Sequence, residues 1–108
     1  MRAAIYTRTA HDQPPERTAQ VMARQEQRCR ELCAQRGYEV VGTYTDTGRS
    51  AFGHRAHYDR LVADATAERF DVIVAWDLAR LHRSPLELQR LLDQLAGRSV
   101  TVALVVGS

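Results

Sequence analysis

The chain has 108 residues, 44% hydrophobic and 26% charged, with a formal net charge of +2. That size fits one small domain, residues 1–108, able to bury a core without disulfide staples. No apolar run approaches the roughly 20 residues of a membrane span, and so small a net charge excludes a histone-like binder, so a cytoplasmic globular protein is expected.

Arg2 to Thr7 reads as a first strand rather than a targeting segment, because it lacks the long apolar centre of a secretory signal. After the turn-forming Asp12-Gln13-Pro14-Pro15, the positions Met22, Gln25, Cys29, Leu32 and Cys33 recur at spacings of three and four. They predict an amphipathic helix that stops at Gly37. Tyr38 to Tyr44 is a second strand, and the Thr, Asp, Gly and Ser of Thr45 to His54 predict a loop. Tyr58, Leu61, Val62 and Ala65 mark one face of a second helix. Asp71 to Trp76 is almost wholly apolar and β-branched, as a strand buried on both faces must be.

Ser84-Pro85-Leu86-Glu87 combines an N-cap serine, a proline at the first helical position and a glutamate three residues after the cap. It predicts a third helix with Leu88, Leu91, Leu92 and Leu95 as its buried stripe and Gly97 as its end. Val100 to Val106 is a fourth strand. The order βαβαβαβ with right-handed crossovers implies an α/β fold, a three-layer sandwich around a mainly parallel four-stranded sheet.

In such a sheet ligands gather beyond the carboxyl ends of the strands. Arg8 follows the first strand, Arg55 the loop after the second, and Arg80 and Arg83 the third. Four guanidinium groups at one sheet edge suit a phosphoryl group, holding it through charge-assisted bonds and stabilising developing charge. All fifteen basic residues are arginine, the side chain suited to bidentate phosphate contacts, although a GC-rich genome produces the same bias. Asp46-Thr47-Gly48-Arg49-Ser50 lacks the glycine spacing and lysine of a P-loop. Cys29 and Cys33 share a helix face and read as small buried thiols, and His54 and His57 complete no metal half-site with them. No metal and no cofactor are expected.

Three segments together carry a resemblance. Tyr6-Thr7-Arg8-Thr9-Ala10-His11-Asp12 is similar to the Tyr-x-Arg-Val-Ser-Thr-Asp motif of the serine site-specific recombinases, the resolvases and invertases. Tyr44-Thr45-Asp46-Thr47-Gly48-Arg49-Ser50 resembles their Tyr-x-Asp-x-Gly-x-Ser. Arg55 and Leu61 fit the Arg-Pro-x-Leu that follows, with Ala56 in place of the proline. Trp76-Asp77-Leu78-Ala79-Arg80-Leu81-His82-Arg83-Ser84 resembles Leu-Asp-Arg-Leu-x-Arg-Ser. The resemblance spans essentially the whole chain.

The resemblance implies a resolvase-like catalytic domain in which a serine hydroxyl attacks a DNA phosphodiester without metal or high-energy cofactor. It carries Arg8, Arg55, Arg80 and Arg83 over as phosphate-binding residues. It also marks two departures, Ala10 at the nucleophile position and Ala79 at an acidic position. Thr9 is a substitute nucleophile one residue early, with Ser50 and Ser84 as poorer ones and Asp77 as a stand-in carboxylate. Set against the family pattern, a domain lacking the long dimerisation helix and the separate DNA-binding domain is expected.

Three readings of function follow. The first is a catalytically impaired domain that binds DNA through its backbone, weakly or nonspecifically alone, or regulates an active recombinase or a second copy of itself. The second is an active recombinase or nickase that uses Thr9. The third is a protein-interaction module or remnant without DNA function.

Overall fold

The computed structural model describes residues 1–10, 15–48, 56–77 and 85–106, with side-chain surroundings at all of these except Thr9, Ala10, Pro15, Thr47 and Gly48. Among the described residues, strands β1 (Arg2–Ala10), β2 (Glu39–Gly48), β3 (Val72–Ala75) and β4 (Thr101–Leu104) alternate with helices α1 (Pro15–Arg36), α2 (Ala56–Thr66) and α3 (Pro85–Leu95). The strands form one parallel sheet in the order β2-β1-β3-β4.

Side chains alternate across each strand, so each strand feeds two cores. Ala3, Ile5, Val72 and Val74 pack against Cys29 and Cys33 of α1 on one face. Ala4, Tyr6, Ile73 and Ala75 pack against Leu61 and Ala65 of α2 and Leu91 and Leu95 of α3 on the other. One helix on one face and two on the other is the arrangement that right-handed crossovers give with this strand order. The three-layer α/β sandwich expected from the element order is the fold observed. No helix among the described residues is long and apolar enough to cross a membrane.

The helix ends explain themselves locally. Gly37 adopts φ 72°, and the amides of Gly37 and Tyr38 donate to the carbonyls of Ala34 and Cys33, closing α1 with a Schellman motif in which glycine avoids the Cβ clash. The residue after α3 that turns left-handed is Gly97, at φ 78°. The same motif ends α2 with a non-glycine residue: Glu68 has φ 56°, and the Arg69 amide donates to the Asp64 carbonyl at 3.0 Å. The Glu68 carboxylate accepts the Ser99 N–H at 3.1 Å, and its carbonyl accepts from Arg2 at 3.0 Å. These bonds offset the strain of a side chain in the left-handed region.

Three expectations are corrected. β1 and β2 each run past the apolar core, pairing Thr7 with Thr45, Arg8 with Asp46, Thr9 with Thr47 and Ala10 with Gly48, so Thr45 to Gly48 is strand and not loop. The β-branched threonines favour extended backbone, and the hydroxyls of Thr7 and Thr45 lie 3.0 Å apart across the ladder. The α3 stripe is narrower than its leucines suggest. Leu91 and Leu95 are buried and Leu88 is half-buried, but Leu92 is exposed. It lies about 100° around the helix from Leu91, outside the sector that faces the sheet. β3 and β4 are also a little shorter than expected, although the amides of Val105 and Val106 continue the pairing by donating to the carbonyls of Ala75 and Trp76.

Candidate functional site at the carboxyl edge of the sheet

β1 leads through α1 to β2 on one flank, whereas β2 leads through α2 to β3 on the opposite flank. The carboxyl ends of β1 and β3 are therefore a topological switch point, the place where open parallel sheets bind ligands. β1 stays paired with β2 through Ala10, but its pairing with β3 ends at Tyr6 opposite Ala75. Beyond Tyr6 the β3 flank of β1 has lost its partner strand.

Gln25 of α1 occupies that flank. Its carboxamide oxygen accepts the Arg8 N–H at 3.4 Å and its nitrogen donates to the Arg8 carbonyl at 3.2 Å, as a peptide group of a neighbouring strand would. Gln25 is only 3% exposed, and a buried carboxamide is tolerated because both of its ends are bonded. The strand end that carries Arg8, Thr9 and Ala10 is thereby held against α1. Gln25→Leu is expected to leave Arg8 N–H and C=O without this partner and to cost about 2 kcal/mol, measured as a lower urea midpoint with an unchanged slope. Unchanged stability would show that Gln25 does not anchor the strand.

A second anchor lies on the opposite face. The Asp46 carboxylate, 7% exposed, accepts from the Tyr6 hydroxyl at 2.8 Å, the His57 amide at 3.1 Å and the Tyr58 amide at 2.9 Å. The last two are donors of the first turn of α2, which have no intrahelical acceptor. Arg55, which precedes α2 in the sequence, has no acceptor in its side chain and cannot cap the helix as Ser or Asp would. Asp46 does so from the neighbouring strand, and its negative charge suits the positive end of the helix dipole. The Tyr6 ring meets Tyr58 edge to face, with centroids 5.6 Å apart.

A third bond braces β2 to the other end of α2. The Tyr44 hydroxyl donates to Asp64 at 2.5 Å, and Asp64 also pairs with Arg69 at 3.6 Å. Burial and the bonded Asp64 carboxylate push the Tyr44 hydroxyl up to about 12, which keeps it a neutral donor at physiological pH.

Of the residues singled out in the sequence, Arg8 is half-buried at the carboxyl end of β1, in register with Asp46. Thr9 and Ala10 complete the same strand. Asp77 is half-buried just past β3, so Arg8 near the end of β1 and Asp77 after β3 sit on the two strands that part at the switch point. Arg55, Ala79, Arg80 and Arg83 lie outside the described residues, as do Ser50, Ser84 and His54. Cys29 and Cys33 are buried free thiols under α1. Burial, with Cys33 and Glu26 nearby, pushes the Cys29 thiol up to about 12, which makes it inert packing rather than a nucleophile. Among the described residues no three His, Cys, Asp or Glu side chains are grouped to hold a metal ion.

The anchoring residues were the part sequence reasoning missed. Gln25 carried a signal, a polar residue within an otherwise largely apolar helical stripe. Tyr6 and Asp46 were visible only as motif letters, because nothing local links positions 40 residues apart.

The architecture recurs in solved recombinase structures. The C-terminal catalytic domain of ISC1926 TnpA, an IS607-like serine recombinase, aligns with a TM-score of 0.81 at 22% identity, covering 100% of this chain and 72% of that one. A resolvase family site-specific recombinase from Streptococcus pneumoniae aligns with a TM-score of 0.82 at 21% identity, covering 97% and 72%. The N-terminal catalytic domain of TP901-1 integrase aligns with a TM-score of 0.75 at 26% identity, covering 97% and 77%. No curated protein sequence matches the chain. The family model for the resolvase N-terminal domain matches residues 3–107, nearly the full length, and the chain belongs to that family of serine recombinase catalytic domains.

Proposed function

We propose that this domain binds the DNA backbone at the carboxyl edge of its sheet through Arg8, Arg55, Arg80 and Arg83 without cleaving it. In this role it is a DNA-binding or regulatory module beside an active recombinase or further copies of itself, in the cytoplasm. The observation that carries the reading is Ala10, two residues after Arg8 at the end of a strand anchored by Gln25 and Asp46. The strand end is built to hold its residues in fixed places, yet the family's nucleophile position bears a methyl group. Alanine has no hydroxyl with which to attack phosphorus, and losing a nucleophile that works as a unit with its neighbours removes several orders of magnitude of rate.

Ala79 removes the second functional group. In the family pattern an acidic residue precedes the first arginine of the Arg-x-x-Arg pair. Alanine there leaves four arginines able to attract and orient a phosphate, with no carboxylate at that position to manage a proton. The reading in which Thr9 replaces the serine depends on the chain turning already at Thr9, and the continued pairing of β1 through Ala10 counts against it.

The test is a suicide or nicked duplex incubated with the protein and resolved on a denaturing gel. The expected result is no covalent protein–DNA band at any time. A band that disappears in Thr9→Val would overturn the reading in favour of an active nickase.

A further inference from the structure

The switch-point crevice has a second lining that the arginines do not account for. On the α1 side of the sheet, Val21, Arg24, Gln25 and Trp76 enclose an open cleft of about 200 Å³. Gln25 is the residue clamped to the Arg8 backbone, so the cleft adjoins the phosphate-binding edge. Trp76 is half-buried, and its carbonyl accepts the Val106 amide at 2.8 Å, which fixes the residue at the end of the sheet. Arg24 is exposed and has no carboxylate partner among the described residues. By contrast Arg28 and Arg30 of the same helix pair with Glu31 and Glu26.

We propose that this cleft takes an unpaired nucleobase, stacked on Trp76 while Arg24 holds an adjacent phosphate of the same strand. The proposal rests on the DNA-binding reading and names the form of DNA that the site prefers. Three features support it. An apolar cavity of about 150 Å³ accepts a benzene ring, so the cleft has room for a planar base. An aromatic side chain beside an unpaired cationic one is the combination that binds single-stranded DNA without sequence preference, the ring for the base and the cation for the backbone. Arg24 also borders a wider, open depression of about 530 Å³ along α1, lined by Gln20, Gln27 and the paired Arg28 and Glu31, so among the described residues Arg24 is the one unpaired cation along it. Within a paired duplex no base face is open to Trp76, since each internal base is covered on both sides by its neighbours and only the two end pairs leave one face bare.

Trp76 is the one tryptophan of the chain, so its emission reports the cleft directly. The experiment titrates the full chain with an oligothymidylate of about 12 nucleotides, with an abasic strand of the same length and charge, and with a blunt duplex, across a salt series. The expected result is strong quenching of Trp76 by the oligothymidylate and roughly tenfold weaker binding of the abasic strand. Arg24→Gln is expected to lower the salt slope for the oligothymidylate by about 0.7. Equal affinity for abasic and base-bearing strands, or unchanged emission at saturation, overturns the assignment. If the duplex then still binds in a salt-sensitive way, the phosphate-binding reading stands alone. Failure of all three DNAs to bind at low salt overturns both.

Discussion

Asp46→Ala is expected to destabilise the domain by about 3 kcal/mol, because three donors converge on one buried carboxylate and all three lose their acceptor. The Tyr6 hydroxyl is fully buried and the His57 and Tyr58 amides point into the space that the carboxylate fills. None of them gains a protein partner from alanine. Loss of an ordinary N-cap costs about 1 kcal/mol, and the larger figure reflects the extra tyrosine and the charge. In urea the midpoint should fall by about 2 M at an unchanged slope. Asp46→Asn keeps an acceptor oxygen and should recover about half of the loss, whereas Tyr6→Phe, which removes one donor together with its bond, should cost about 1 kcal/mol. A loss below 1 kcal/mol for Asp46→Ala would show that α2 is anchored by packing alone.

Ala10→Ser combined with Ala79→Asp is expected to change the chemistry rather than the fold. Restoring the hydroxyl and the carboxylate should produce a covalent adduct on suicide DNA where the unaltered chain gives none, a gain of several orders of magnitude in rate. The hydroxyl would attack phosphorus, the bond from phosphorus to the 3′ oxygen would break, and the leaving 3′ alkoxide would take up a proton. Ala10→Ser alone should give less adduct than the pair, since activity of a nucleophile depends on the groups around it. Silence of the double variant, with the protein folded and bound to DNA, would show that the strand end does not present position 10 to the phosphate.

Both predictions turn on features of unequal visibility in the sequence. The β-branched run at Asp71 to Trp76 and the spacing of Cys29, Cys33, Leu61 and Ala65 declared the buried faces, because burial imposes a period of two or about 3.6 residues. The stops at Gly37 and Gly97 were equally plain. The end of β2 was hidden because Thr45 to Gly48 has the composition of a loop, and its strand character comes from pairing with Thr7 to Ala10, a partner distant in the chain. The stop of α2 at Glu68 was hidden for a related reason, a left-handed residue supported by bonds from Arg2 and Ser99 rather than by its own chemistry.

The site divides in the same way. Arg8 was expected just after a strand ending at Thr7, and it lies within β1, because the pairing with β2 carries the strand on through Thr9 and Ala10. Gln25, Tyr6 and Asp46 hold that strand end in position, but each acts through a contact between separate elements, which no local pattern encodes. Trp76 read as the last residue of a buried strand, and it is half-buried at the mouth of a cleft.

On the proposed function, the arginine edge holds DNA phosphate without a serine nucleophile beside it. Fluorescence anisotropy of a labelled duplex across a salt series, comparing the unaltered chain with Arg80→Ala/Arg83→Ala, tests it most directly. Salt-sensitive binding is expected, with a slope that falls by about 1.8 in the double variant, about 0.9 for each lost phosphate contact. Identical slopes for the two proteins, or no binding by the unaltered chain at low salt, would contradict it.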